Sequence, residues 1–365
     1  MPARGHLSPS SESIAPRQTP PGEAAASRPK NYRILSIDGG GVRGVYAAKL
    51  LEMLEAEVTK RCRPNPFSNI NLFAGASTGG IIALGLASGL SSAELVALYR
   101  DNAGQIFPSR CRALRKVKGI VRARYSNAPL KRILNHTFTR ALGTPEPRLA
   151  DIPRHVLVPV FDLAGEKKLG GAGAVRMWKP KFFNNFKDNA GRPNPDLNES
   201  IVDVAMRTSA APTYLPVYQG DVDGGMVSNN PSMAALAQAL DAEPRQPADI
   251  RLFSLGTGMN PFYIAGQSMK WGDIQWVCHK LFPDLVMDGM TDVADYQCRR
   301  ILNGRPDDVP GNRYFRLDPL LPEAIALDDS AATGKLIELA EKVPSDPASA
   351  PLWTLAVQWW LGANP

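Results

Sequence analysis

Three short stretches of this chain carry residue types that can do chemistry together. Gly75-Ala-Ser77-Thr-Gly79 is a G-x-S-x-G pattern. A serine that attacks an acyl group must project from a sharp turn, and glycines two before and two after it relieve the crowding there. A tight turn at a helix start gives the same pattern. Here, however, it follows the short apolar run Asn71 to Gly75 and precedes the small apolar residues from Gly80 to Ala87. That is the strand–turn–helix setting a nucleophile needs.

The second stretch is Gly39-Gly40-Gly41-Val-Arg43-Gly44, directly after the apolar run Arg33 to Asp38. Successive glycines let backbone N–H groups converge on one point, and a helix start adds partial positive charge. Either a phosphate or the oxyanion of an attacked ester would suit such a loop. A dinucleotide site expects an acidic residue about twenty positions further on. That stretch reads Lys60-Arg61-Cys62-Arg63 and is basic, and G-x-x-x-x-G-K-[ST] does not occur. An oxyanion hole is therefore the preferred reading, with each donor worth about 3 to 4 kcal/mol in the transition state.

The third stretch is Asp223-Gly224-Gly225. Alone it reads as an Asp-Gly turn; beside a serine nucleophile it offers the base that a hydroxyl requires. Histidine is the usual base, and the chain has four: His6, His136, His155 and His279. Only His279 follows Ser77 and Asp223 in the order of an ordinary α/β-hydrolase triad. It sits in the amphipathic stretch Trp276-Val-Cys-His279-Lys, where a structural role is the better account, so a serine–aspartate pair fits more easily.

The three motifs, in this order and separation, resemble the patatin-like phospholipases. Arg207-Thr-Ser-Ala-Ala-Pro-Thr-Tyr-Leu-Pro216 is similar to the segment before that family's aspartate, and the resemblance spans Tyr32 to Gly258. It implies a three-layer α/β/α fold and hydrolysis of glycerolipid acyl esters, without metal or other cofactor. Ser77 would be the nucleophile and Asp223 the base. Gly39, Gly40 and Gly41 would form the oxyanion loop, steadied by Arg43, with Gly44, Gly75, Gly79, Gly224 and Gly225 completing the motifs. Some bacterial members of the family are switched on by cyclic oligonucleotides, so such an activator is a candidate partner.

These motifs need elements to hold them. Strands are expected at Arg33 to Asp38, Asn71 to Gly75, His155 to Asp162, Ile250 to Leu255 and Arg313 to Leu317, with a strand end at Asp221 to Gly225. Helices are expected after Gly44, at Gly80 to Ala87, Ala93 to Tyr99, Glu199 to Thr208, Pro231 to Leu240 and Asp288 to Leu302, and near Lys335 and Leu355. Alternation of this kind predicts a mainly parallel sheet covered on both faces. Residues 1–30, rich in Pro, Ser and Ala, read as a disordered leader before one hydrolase domain, 31–365. Its motif-bearing part is 32–258 and its extension, with no recognised motif, is 259–365.

The chain of 365 residues is 44% hydrophobic and 21% charged, in the range of ordinary globular domains. Four scattered cysteines argue against a zinc site or a disulfide scaffold and fit a cytoplasmic setting. The most apolar stretch, Gly79 to Leu90, is about half the roughly 20 residues that span a bilayer. From Asn102 to Pro145 there is no acid, whereas Arg110, Arg112, Arg115, Lys116, Lys118, Arg122, Arg124, Lys131, Arg132 and Arg140 are basic; this segment alone exceeds the chain's net +7. It reads as a solvated loop or as a surface, Arg110 to Arg132, for peripheral contact with anionic phospholipid. Nucleic acid is not an expected partner. Two other classes would leave different signatures. A phosphate-binding protein would be stabilised by nucleotide without esterase activity, and a basic lipid-binding module would bind vesicles whatever stands at Ser77 and Asp223.

Overall fold

The strand β1 (Tyr32–Ile37) is buried along its whole length, which a strand achieves only when both faces of its sheet are covered. The computed structural model describes residues 31–61, 66–108, 122–169, 173–187, 194–242, 245–262, 281–304 and 311–362. The expected leader, His279 and the basic residues from Arg110 to Lys118 lie outside them. The further strands are β2 (Leu72–Gly75), β3 (His155–Asp162), β4 (Glu166–Leu169), β5 (Gly173–Arg176), β6 (Lys179–Asn184), β7 (Asp221–Asp223), β8 (Ile250–Leu255) and β9 (Tyr314–Leu317). The helices are α1 (Gly44–Arg61), α2 (Thr78–Ala87), α3 (Ser92–Ile106), α4 (Asn127–Leu142), α5 (Ile201–Thr208), α6 (Gly225–Ser228), α7 (Ser232–Ala242), α8 (Leu281–Cys298), α9 (Thr333–Lys342) and α10 (Ala350–Gly362).

Seven strands form one sheet in the order β6-β3-β2-β1-β8-β9, with β7 also paired to β3. The ladder from β3 to β9 is parallel, and only β6 and β7 run antiparallel, both on β3. Side chains alternate between two cores as the pleat requires. Leu35 and Ile37 of β1, Phe73 of β2 and Phe253 of β8 enter one core, with α1 to α5, α9 and α10. Tyr32 and Ile34, Leu72, and Leu252 enter the other, covered by α7 and the end of α8. This is the three-layer α/β/α arrangement expected.

Several elements differ from expectation. α3 starts at its Ser91–Glu94 capping box and runs on to Ile106, beyond Tyr99, because Ala103 and Ile106 still face the core. α8 begins at Leu281, well before Asp288. The acid-free segment is not one solvated loop. Its second half is α4, capped by Ser126 and burying Leu130, Ile133, Leu134 and Phe138 on one face until Gly143 ends it in the left-handed region. β4, β5 and β6 were not foreseen.

Candidate active site

β2 and β7 approach β3 along the same edge. β6 occupies one edge of β3 from Leu157 to Asp162. β2 takes the other from His155 to Leu157, and β7 takes over that edge, antiparallel, from Val160 to Asp162. The chain leaving β2 and the chain arriving in β7 therefore meet head-on. Ser77 stands at the end of the first and Asp223 at the end of the second. Ser77 Oγ donates to Asp223 Oδ2 at 2.6 Å across 146 positions of sequence.

Each partner is held from several sides. Ser77 has φ 52° and ψ −122°, a conformation that costs a non-glycine residue about 1 to 3 kcal/mol and persists only when its surroundings impose it. They do so here. A Cβ on Gly75 would strike the Gly79 carbonyl, and one on Gly79 would strike the Ile37 carbonyl, so backbone lies directly against backbone around the turn. The Ser77 N–H donates to Thr208 Oγ1 at 3.0 Å, and that hydroxyl donates to the Pro159 carbonyl at 2.7 Å. Asp223 N–H donates to the Ala210 carbonyl (3.1 Å), Gly224 N–H to that of Thr208 (3.1 Å), and Gly225 N–H to Asp223 Oδ1 (2.7 Å). Ser77 and Asp223 are 8% and 5% exposed. Burial pushes the Asp223 carboxyl up to about 6, against the downward pull of its hydrogen bonds from Ser77 and Gly225.

The glycine loop runs beside them, since a Cβ on Gly39 would lie 3.3 Å from that of Ser77. Gly39 N–H donates to the Asn229 carbonyl at 3.0 Å, so this expected oxyanion donor is already engaged. Gly40 and Gly41 N–H have no acceptor among the described residues. Gly41 has φ +58° and lies so close to the Leu327 carbonyl that a side chain would not fit. Arg43, buried, donates through Nη1 to the Gly258 carbonyl at 3.0 Å. Gly258 N–H donates to Asp318 Oδ1 at 2.9 Å. Arg316 closes the circuit, with Nη2 at 2.6 Å from Asp318 and 2.7 Å from Asp38, and Nη1 donating to Ser254 Oγ at 2.9 Å. One guanidinium thus serves a buried carboxylate, Asp38, and a half-buried one, Asp318. Burial raises the Asp38 carboxyl to about 7 in spite of it.

A strained, buried serine bonded to a buried carboxylate beside two unengaged N–H groups is equipped for acyl transfer. The patatin-like phospholipase family profile matches residues 35–236, which contain every one of these motifs. The chain belongs to the patatin-like phospholipase family. Among its relatives, protein teg of Priestia megaterium is 30% identical over 87% of this chain and 96% of that protein. A Pseudomonas aeruginosa protein named cGAMP-activated phospholipase is 32% identical over 79% of this chain and 78% of its own. The solved structure of VipD from Legionella pneumophila aligns at a TM-score of 0.34 and 10% identity, over 86% of this chain and 67% of that one, too loosely to carry an argument.

In this patatin-like domain neither described histidine is a hydrogen-bond partner of Ser77 or Asp223. His155 stacks on Phe186 at 4.1 Å at the start of β3, far along the strand from the site, and His136 is exposed on α4. Among the described residues no His, Cys, Asp and Glu are grouped to hold a metal, and no helix is long and apolar enough to cross a membrane. The described part of the basic segment is largely paired within the molecule. Arg124 lies 3.3 Å from Asp328, Lys131 3.5 Å from Asp203 and Arg140 3.0 Å from Glu94.

Sequence reasoning missed Thr208, Thr257, Arg316 and Asp318. Thr208 stands inside the quoted Arg207 to Pro216 segment, and Thr257, whose hydroxyl donates to the Gly39 carbonyl at 3.0 Å, between the two glycines that close β8. Both were visible as positions without a role. For Arg316 and Asp318 no local signal existed.

Proposed function

We propose that this chain is a lipid acyl hydrolase of the phospholipase A type, with Ser77 as nucleophile and Asp223 as its base. The observation that carries the reading is the 2.6 Å hydrogen bond from Ser77 Oγ to a carboxylate buried at the end of β7. Ser77 Oγ attacks the ester carbonyl as its proton passes to Asp223, and the carbonyl oxygen becomes an oxyanion received by the Gly40 and Gly41 N–H groups. The acyl–oxygen bond of the lipid then breaks. The departing lyso-lipid oxygen takes the proton from Asp223 and leaves an acyl-serine. Water attacks that ester, giving its proton to Asp223, and the fatty acid leaves as Ser77 recovers it. A base whose pKa is about 6 is ionised at neutral pH yet close enough to it to move protons in both directions.

The test is lipid-product analysis on mixed phospholipid vesicles with wild type and Ser77→Ala, alongside labelling by a fluorophosphonate. Wild type should release free fatty acid and take the label on Ser77. Ser77→Ala, folded by circular dichroism, should do neither. Substantial fatty-acid release by Ser77→Ala would sink the assignment. A narrower form, in which a cyclic dinucleotide switches the enzyme on, is favoured by the name of the Pseudomonas relative. The same assay with and without cGAMP distinguishes it.

A further inference from the structure

β2 and β3 are parallel, so the chain leaves β3 at the end of the sheet from which it leaves β2 for Ser77. Asp223 lies level with Val160, and β3 continues two residues beyond it. The chain then forms the β4–β5 hairpin, with Glu166 opposite Arg176. Two backbone hydrogen bonds fix its base: Leu163 N–H to the Gly220 carbonyl at 3.0 Å and Met177 N–H to that of Gly165 at 2.8 Å. The hairpin therefore projects past the catalytic pair on its own side of the molecule.

Its side chains are unusual for a free surface. Trp178 is 68% exposed, and Leu163, Val175 and Met177 are exposed with it. Scattered single apolar residues on a surface need no explanation, but a group gathered at the base of a projecting hairpin marks a contact site. Between Leu163 and Lys179 the sequence carries Lys167, Lys168, Arg176 and Lys179 against Glu166 alone. An indole and a thioether beside the exposed Arg176, in a segment of net positive charge, suit one surface best. The ring fits the polar–apolar boundary of a bilayer, and the cations attract anionic headgroups. Across the sheet, past the ends of β8 and β9, Met259 and Leu320 bridge to each other and are exposed at this same end.

We propose that the base of the β4–β5 hairpin, at Leu163, Met177 and Trp178, is a membrane-docking element. Trp178 and Met177 enter the headgroup boundary of an anionic bilayer, and the Ser77 end of the sheet is thereby turned toward the lipid. This rests on the lipid-hydrolase reading, and it assigns the contact to residues other than the basic segment, whose described cations are largely occupied within the protein.

The test compares wild type, Trp178→Ala/Met177→Ser and Trp178→Phe on vesicles of phosphatidylcholine containing phosphatidylserine, with a short soluble nitrophenyl ester as the parallel substrate. The double variant should lose about tenfold or more in vesicle co-sedimentation and in hydrolysis of vesicle lipid, with soluble-ester turnover unchanged. Trp178→Phe should fall between. Brominated lipid should quench wild-type fluorescence more than that of Trp178→Phe, a readout that needs no loss of function. Equal vesicle binding by the double variant, or equal quenching of the two proteins, would overturn the proposal. So would a change from dimer to monomer on sedimentation with vesicle binding intact, which would give the surface to a second copy of the chain. Failure of the hydrolase reading looks different: wild type would turn over neither substrate while the variants still differed in vesicle binding.

Discussion

On the proposed mechanism Asp223 has to be buried to meet Ser77 and ionised to serve it, and these demands oppose each other. Its carboxyl is lifted from 3.8 to about 6 by burial. A raised acid pKa means that the folded state holds its proton more firmly than the unfolded chain. The associated stability is complete below about pH 4 and is lost as pH rises through about 6. A shift of this size corresponds to about 3 kcal/mol at neutral pH. Asp223→Asn should therefore be inactive yet more stable than wild type at pH 8 in urea denaturation, with the gap closing by pH 4. For wild type, kcat/KM on a soluble ester should rise to a plateau with an apparent pKa of about 6. A less stable Asn variant at pH 8 would contradict this account of the charge. At this scale the sequence was informative: the candidate residues Ser77, Asp223 and the glycines were legible because the proposed chemistry needs neighbours one or two positions away. The engagement of Gly39 N–H was not, since its acceptor is the Asn229 carbonyl, far away in the chain.

The elements explain why the pair meets. β3 accepts β2 and then β7 on one edge, and α5 ends beside that junction, where Thr208 ties the Ser77 turn to β3. Thr208→Val keeps the shape but leaves the Ser77 N–H and the Pro159 carbonyl unpaired in a buried place. This should cost about 2 kcal/mol. It should also lower kcat on a soluble ester, whereas Thr208→Ser should restore both in the same assays. Retention of wild-type stability and rate by the valine variant would show that the turn holds itself. The buried strands were legible from their apolar runs. α4 was not recognised, although Leu130, Ile133, Leu134 and Phe138 have helical spacing, because the density of cations around them drew the reading toward charge. β4 and β6 lack any apolar run, since a hairpin and an edge strand are not buried on both faces.

On the scale of the whole molecule, residues far beyond Gly258 give the glycine loop structural support. β9 brings Arg316 to Asp38, with Asp318 two residues further on, and the Leu327 carbonyl receives Val42 N–H at 2.9 Å. No motif announced this, because a lone arginine in a short strand acquires its meaning here from Asp38, which the fold delivers across 278 positions of sequence. Arg316→Met leaves the buried Asp38 and the half-buried Asp318 without their cation and should cost about 3 kcal/mol in urea denaturation. Arg316→Lys keeps the charge but not the fork, and should lower kcat on a soluble ester more than it alters KM. An unchanged kcat in the lysine variant would separate this network from the loop. The head-on meeting of β2 and β7 has one more consequence, for synthesis of the chain. Ser77 and the glycine loop leave the ribosome long before Asp223, and Arg316 emerges later still. A nascent or prematurely released chain that ends before β7 carries the nucleophile without its base. On the proposed mechanism, the cell's own membranes are safe from every copy that stops before β7.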